Sequence, residues 1–137
     1  MAVITANPVY LKDTSFLVAA DNYESALSSA TFTPTSSTAT WQGLTPSSSF
    51  TFASTATWTV TLEYAQDWAT TNSLSRYLYE NEGKEVVVKF APTKGAVVPT
   101  FTATVIITPG AIGGAVNAVA TASVTLPLKA RPTLGTS

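Results

Sequence analysis

The chain has 137 residues, enough for one domain, and balances seven Lys/Arg against eight Asp/Glu for a formal charge of −1, with no His and no Cys. Those absences exclude Ser-His-Asp and Cys-His nucleophiles, His- or Cys-ligated zinc, disulfides and thiol redox chemistry, and the missing basic excess leaves no electrostatic footprint for nucleic acid. Only 11% of residues are charged while 14 Ser and 24 Thr fill 38 positions, so an enzyme would depend on carboxylates, Lys, Tyr or an oxygen-ligated ion, whereas a hydroxyl-rich surface of low charge suits a protein packed against copies of itself.

Residues 1–12 show no basic segment followed by an apolar run, so no secretory signal is expected and the stretch reads as an N-terminal arm. A first strand is predicted over Asp13–Ala20. Residues 33–54 form the longest low-complexity stretch, where Pro34-Thr35-Ser36-Ser37 and Thr45-Pro46-Ser47-Ser48-Ser49 bracket a segment around Trp41. It reads either as a surface loop or as a long hairpin or arm that orders against a neighbouring molecule. Trp41, Phe50 and Phe52 are poor residues to leave in water. The pentapeptide Ser-Thr-Ala-Thr-Trp occurs at 37–41 and again at 54–58, too few copies for a solenoid and attributable to composition or to a local hairpin symmetry.

Next comes strict alternation. Trp58, Val60, Leu62 and Tyr64 fall on one face of a strand, with Thr57, Thr59, Thr61 and Glu63 on the other. Between Asn72 and Gly83 the period changes: Leu74, Tyr77 and Leu78 stand at i, i+3, i+4, which predicts one short helix. Thr71, Asn72 or Ser73 can cap its start, Gly83 can end it, and Arg76 and Glu80 are spaced to pair. Alternation resumes over Glu85–Phe90, over Phe101–Ile107 after the Pro92–Pro99 break, and over Ala122–Leu128 after Pro109-Gly110 and Gly113-Gly114. Residues 129–137 read as a tail. No apolar run reaches the roughly 18 residues of a membrane span. The expected fold class is mainly β, an antiparallel sandwich or half-barrel of a single domain over 1–137 with one short α-helix.

Chemistry is sparse. No phosphate-binding loop and no nucleophile elbow occurs. Glu80-Asn81-Glu82-Gly83-Lys84-Glu85 could in principle bind a hard cation, but its spacing matches no calcium loop and a solvated turn is the simpler reading. Glu63 and Asp67 would make a glycosidase-like pair only if the fold brought them into one cleft. No catalytic residue, cofactor or metal ligand is therefore expected. Trp58 reads as core, whereas Trp41 and Trp68 can serve either as local packing or as interface anchors.

The span Trp58-Thr-Val-Thr-Leu-Glu-Tyr-Ala-Gln-Asp-Trp68, followed by Ser73-Leu-Ser-Arg-Tyr-Leu-Tyr-Glu-Asn-Glu-Gly83-Lys-Glu-Val, resembles the major tail (tail tube) proteins of long, non-contractile-tailed bacteriophages. Ala103-Thr-Val-Ile-Ile-Thr-Pro-Gly-Ala-Ile-Gly-Gly114 and Ala122-Ser-Val-Thr-Leu-Pro-Leu-Lys-Ala-Arg-Pro132 follow the same style. The resemblance implies a structural virion protein, assembled in the host cytoplasm. Its hexameric rings stack into a tube that conducts DNA during ejection, and each subunit adds four strands to an inner barrel. It implies no catalysis, and a minimal subunit without the immunoglobulin-like C-terminal domain of many relatives. The partners it implies are further copies of the chain, a tape measure protein, the tail terminator and tip proteins, and DNA only in transit. On that reading Trp41, Phe50, Phe52, Trp68, Lys129 and Arg131 are candidates for contacts between subunits. Glu63, Glu85 and Lys89 are candidates for the lumen, and the stretches 1–12, 33–54 and 129–137 are candidates for latching adjacent rings. The alternatives are a β-sandwich adhesion or decoration module that binds a protein or glycan and, third, a carboxylate enzyme.

Overall fold

A computed structural model of the chain describes residues 2–6, 8–11, 14–19, 21–93 and 98–136. The elements run β1 (Ser15–Val18), β2 (Asp21–Asn22), β3 (Leu27–Thr35), β4 (Thr38–Gln42), β5 (Ser49–Ala53), β6 (Thr57–Ala65), α1 (Leu74–Glu80), β7 (Glu85–Ala91), β8 (Pro99–Ile106), β9 (Thr121–Pro127) and β10 (Thr133–Thr136). They form a five-stranded sheet in the order β10-β8-β7-β1-β2, a three-stranded sheet β3-β6-β9 and a separate two-stranded hairpin β4-β5. Every pairing is antiparallel. The mainly β architecture is the one expected, with two sheets facing across one core.

Alternation decides which face each strand buries. β6 turns Val60, Leu62 and Tyr64 inward, β7 turns Val88, β8 turns Ala103 and Val105, and β9 turns Ala122, Val124 and Leu126. With Phe16 and Val18 of β1 these side chains make a single cluster. Burying each large aliphatic or aromatic member contributes about 1.5–3 kcal/mol. Helix α1 covers one end of this core with Leu74 and Leu78. Ser73 caps it, its hydroxyl accepting from the Arg76 amide at 3.5 Å. The helix is shorter than the stretch from Asn72 to Gly83. Asn81 ends it, donating from both its amide and Nδ2 to the Tyr77 carbonyl, and Gly83 then takes φ +84°.

Two elements depart from the expected pattern. Leu27–Thr35 is a nine-residue strand, paired to β6 from Leu27↔Tyr64 to Thr35↔Thr57 with a bulge at Ser28. The C-terminal stretch is no free tail: Thr133–Thr136 pairs with the start of β8, from Thr133↔Thr102 to Thr136↔Pro99. β1 is described from Ser15 to Val18, while Asp13 and Ala20, the ends of the expected first strand, lie outside the described residues.

The chain changes sheets at a corner after β9. The Leu128 amide donates to the Trp58 carbonyl in one sheet, while Leu128 bridges Val105 and the Lys129 amide donates to the Thr104 carbonyl in the other. The sandwich is thus joined at the β9–β8 corner. On the opposite flank, β3 pairs only with β6 among the described residues.

Candidate functional site

The β4–β5 hairpin continues the β3–β6 pair outward as an arm. Its register runs from Thr38↔Ala53 at the base to Gln42↔Ser49 at the tip, and every residue of both strands is exposed. The tip turn closes through Gly43 N to Ser48 O (2.6 Å), Ser48 N to Thr45 O (3.0 Å) and Gln42 Nε2 to Thr45 O (2.9 Å). Directly opposed residues of an antiparallel pair share a face. Trp41 lies opposite Phe50 and Ala39 opposite Phe52, so the three aromatics form one apolar face, while Thr40 and Thr51 touch at 3.4 Å on the other. The three remain 67%, 55% and 62% exposed.

The arm is jointed. Between Thr35↔Thr57 and Thr38↔Ala53 one strand spends two residues and the other three, an unmatched count that acts as a bulge. Ser37 and Ser54 bind each other there: Ser54 N donates to Ser37 O (2.8 Å), Ser37 N to Ser54 Oγ (3.0 Å), and the two hydroxyls lie 3.0 Å apart. Both copies of Ser-Thr-Ala-Thr-Trp start at this joint. One runs outward along β4 to Trp41 and the other back into β6 to Trp58, so the two copies leave the joint in opposite directions.

The open flank beside β3 is an apolar groove of about 1020 Å³. Phe32, Trp58, Phe90 and Phe101 line it from the two sheets, Leu134 from the C-terminal strand and Pro132 from the segment before it, and Leu11 from the N-terminal arm. Two of its aromatics, Phe32 and Phe90, lie with ring centroids 5.9 Å apart, and Phe90 packs in turn on the buried core residue Phe16 at 6.3 Å. No hairpin residue lines this groove. Trp58, expected in the core, is half-buried and packs against the core from the groove side.

The lumen candidates fall on two different faces. Glu63 stands outward on β6 in the row Ser29–Glu63–Ser123, next to the row Thr31–Thr61–Thr125, where the Thr61 and Thr125 hydroxyls approach to 3.3 Å. Glu85 and Lys89 stand outward on β7 in the other sheet. Lys129 reaches Glu85 at 3.2 Å, an exposed ion pair of the kind worth about 0–1 kcal/mol. Arg131 lines the apolar groove. Trp68 is fixed locally: it stacks edge-on with Tyr79 at 6.2 Å and donates from Nε1 to Gln66 Oε1 at 3.1 Å.

The remaining polar candidates have partners of their own. The Asp67 carboxylate accepts from the Ala69 and Thr70 amides at 3.1 Å each, and the hydrogen bonds from Thr70 hold its pKa below the ordinary value. That is the reverse of what a general acid opposite Glu63 requires. Glu80 pairs with Arg76 at 3.4 Å and Glu85 with Lys129, so the acidic stretch splits in two directions. Among the described residues no group of three or more carboxylates is placed to hold a metal ion. None of the described helices is long and apolar enough to cross a membrane.

Sequence reasoning passed over Gln66, which clamps the loop after β8. Its Nε2 donates to the Gly113 and Thr121 carbonyls (2.8 and 2.9 Å), and its Oε1 accepts from the Gly113 amide (3.0 Å). Thr108 also donates to the Thr125 carbonyl, so side chains partly occupy the outer edge of β9. That leaves β3 as the more open flank. No protein-family model and no curated protein matches the chain.

Proposed function

We propose that this protein is a structural subunit that assembles with copies of itself into stacked rings, a tail tube of the kind its sequence resembles, and so forms a conduit for DNA. One observation carries the reading: the chain presents an aromatic arm and an open apolar groove, and its own arm does not fill its own groove. A contact from the arm of one copy to the groove of the next is heterologous. Repeated along an axis it generates a filament, and repeated about an axis it closes a ring.

The magnitudes favour an assembly held by many contacts over a simple pair. Aromatic side chains bury about 150–250 Å² each, so three that are more than half exposed offer roughly 350 Å². At about 25 cal/mol per Å² that is roughly 9 kcal/mol before costs. Losing translational and rotational freedom costs about 4–15 kcal/mol. One arm in one groove is close to break-even, and contacts around a ring and between rings together tip the balance. Further apolar side chains support the same reading: Val3 and Ile4 in the N-terminal arm and Val116 and Val119 in the loop before β9 stand almost fully exposed.

The test is a variant with Trp41→Ser and Phe52→Ser. Neither side chain belongs to the core, so the variant should keep the circular dichroism spectrum and unfolding midpoint of the parent. In sedimentation velocity over a concentration series the parent should form large species and the variant should not. A parent that stays monomeric at every concentration and binds a glycan or an unrelated protein through these aromatics would favour the adhesion module instead.

A further inference from the structure

We propose that the groove is a binding site for a fatty-acid-like monocarboxylate, whose alkyl chain lies across the inner face of the five-stranded sheet and whose carboxylate is held by Arg131. Register builds the floor. Leu134 of β10 lies opposite Phe101 of β8, Phe101 opposite Phe90 of β7, and Phe90 opposite Phe16 of β1, so four apolar side chains form one row across neighbouring strands. At about 4.8 Å per strand the row runs roughly 14 Å, a length suited to an extended alkyl chain. Phe32 of β3 and Trp58 of β6 line the groove from the facing sheet.

The two ends of the row differ in charge. At the β10 end stands Arg131, the sole charged residue lining the groove among the described residues. Glu85, which shares a shallow hollow with Arg131, pairs with Lys129 instead at 3.2 Å. At the β1 end the groove adjoins a smaller cavity of about 330 Å³, with which it shares Leu11, Ala30 and Phe90 and where Glu24 accepts from the Phe16 amide at 3.5 Å. A carboxylate head is therefore drawn to Arg131 and repelled from the far end. A guanidinium beside apolar walls calls for an anion, and a carboxylate meets its fork with two parallel hydrogen bonds. The arm, residues 33–54, carries no acid that could do so. Acid and arm use the same lining, so on the assembly reading above a bound carboxylate holds a neighbour's arm out of the groove. The binding itself does not rest on that reading.

Isothermal titration of the dilute protein with dodecanoate and, separately, with dodecanol distinguishes head from tail. The expected result is one saturable site per chain, with dodecanoate bound roughly tenfold or more tighter than dodecanol, as a charged hydrogen-bonded pair warrants. Arg131→Leu should cancel that preference and leave the two ligands equal. Arg131 lies outside the core cluster, so this variant should keep the unfolding midpoint of the parent. Leu134→Glu, at a floor position that is 63% exposed, sets a fixed carboxylate in the groove and should abolish dodecanoate binding. Equal affinity of the parent for acid and alcohol, an unchanged preference in Arg131→Leu, or no saturable binding would each overturn the inference. Sedimentation without ligand decides the assembly reading separately. A chain that binds dodecanoate but never assembles keeps this site and loses the tube, and one that assembles but shows no preference for the acid does the reverse.

Discussion

At the scale of single residues, close packing makes the core intolerant of small changes. A Cβ added at Gly110 would lie 2.0 Å from Tyr64 Oη, and Tyr64 is only 2% exposed, so its ring has nowhere to swing. Gly110→Ala should therefore lower the stability by about 1–3 kcal/mol, read as a shift of the urea midpoint at unchanged slope. Val88 is fully buried at the centre of β7, and Val88→Asp should cost several kcal/mol and prevent folding at ordinary temperature. Three tyrosines set the alkaline limit. Burial raises the phenol pKa of Tyr23, Tyr64 and Tyr77 above 10.0, with the Asp21 carboxylate adding to the rise at Tyr23 and Tyr77. Raised folded values mean that this stability is complete below the unfolded pKa and drains away as pH climbs through the folded ones. Stability should fall steadily above about pH 10, and Tyr64→Phe should make that fall shallower in denaturation curves taken along a pH series. At the acid end Asp67 acts in the opposite sense. Its depressed pKa makes it stabilising above the ordinary carboxylate range, and that contribution fades as pH drops through the folded value.

At the scale of elements, the C-terminal strand is where expectation and structure differ in consequence. A loose tail could be trimmed without harm to the fold, but β10 pairs along β8 from Thr102 to Pro99 and walls the groove with Leu134, next to Pro132 just before the strand. Truncation after Arg131 should lower the unfolding midpoint and abolish assembly together, whereas loss of assembly alone would show that β10 contributes nothing to the fold of the subunit. The elements legible in the sequence were those whose two faces differ most in chemistry. β6, β7, β8 and β9 alternate large apolar side chains with Thr, Ser, Glu or Lys, and α1 sets Leu74, Tyr77 and Leu78 on one side behind a Ser73 cap. β3 was hidden because the bulge at Ser28 breaks its period and its inward residues Ala30 and Phe32 are only partly buried at the sheet's open edge. β10 is a four-residue edge strand with a central glycine, too short for any period to show. The aromatic arm was legible as an alternative because Trp41, Phe50 and Phe52 do not belong in a solvated loop. The groove was not legible, since Leu11, Phe32, Phe90 and Leu134 meet only after two sheets and both chain ends have been placed.

At the scale of the whole molecule, what stands out is how much apolar surface so small a chain leaves uncovered. The two sheets are joined by the β9–β8 corner, and between β3 and the C-terminal strand they part to form the groove. Natural sheets that end on open flanks cover or blunt them, and an open flank with an apolar lining invites association. The low charge fits that condition, because each fixed charge on a buried interface would need a partner. The most direct measurement of the central claim is electron microscopy of the purified protein across a concentration series. The account predicts stacked rings around an open bore, with density for the β4–β5 arm of each copy entering the groove between β3 and β10 of a neighbour. A protein that stays a dispersed monomer throughout, with Trp41, Phe50 and Phe52 as solvent-accessible at the highest concentration as at the lowest, would contradict it.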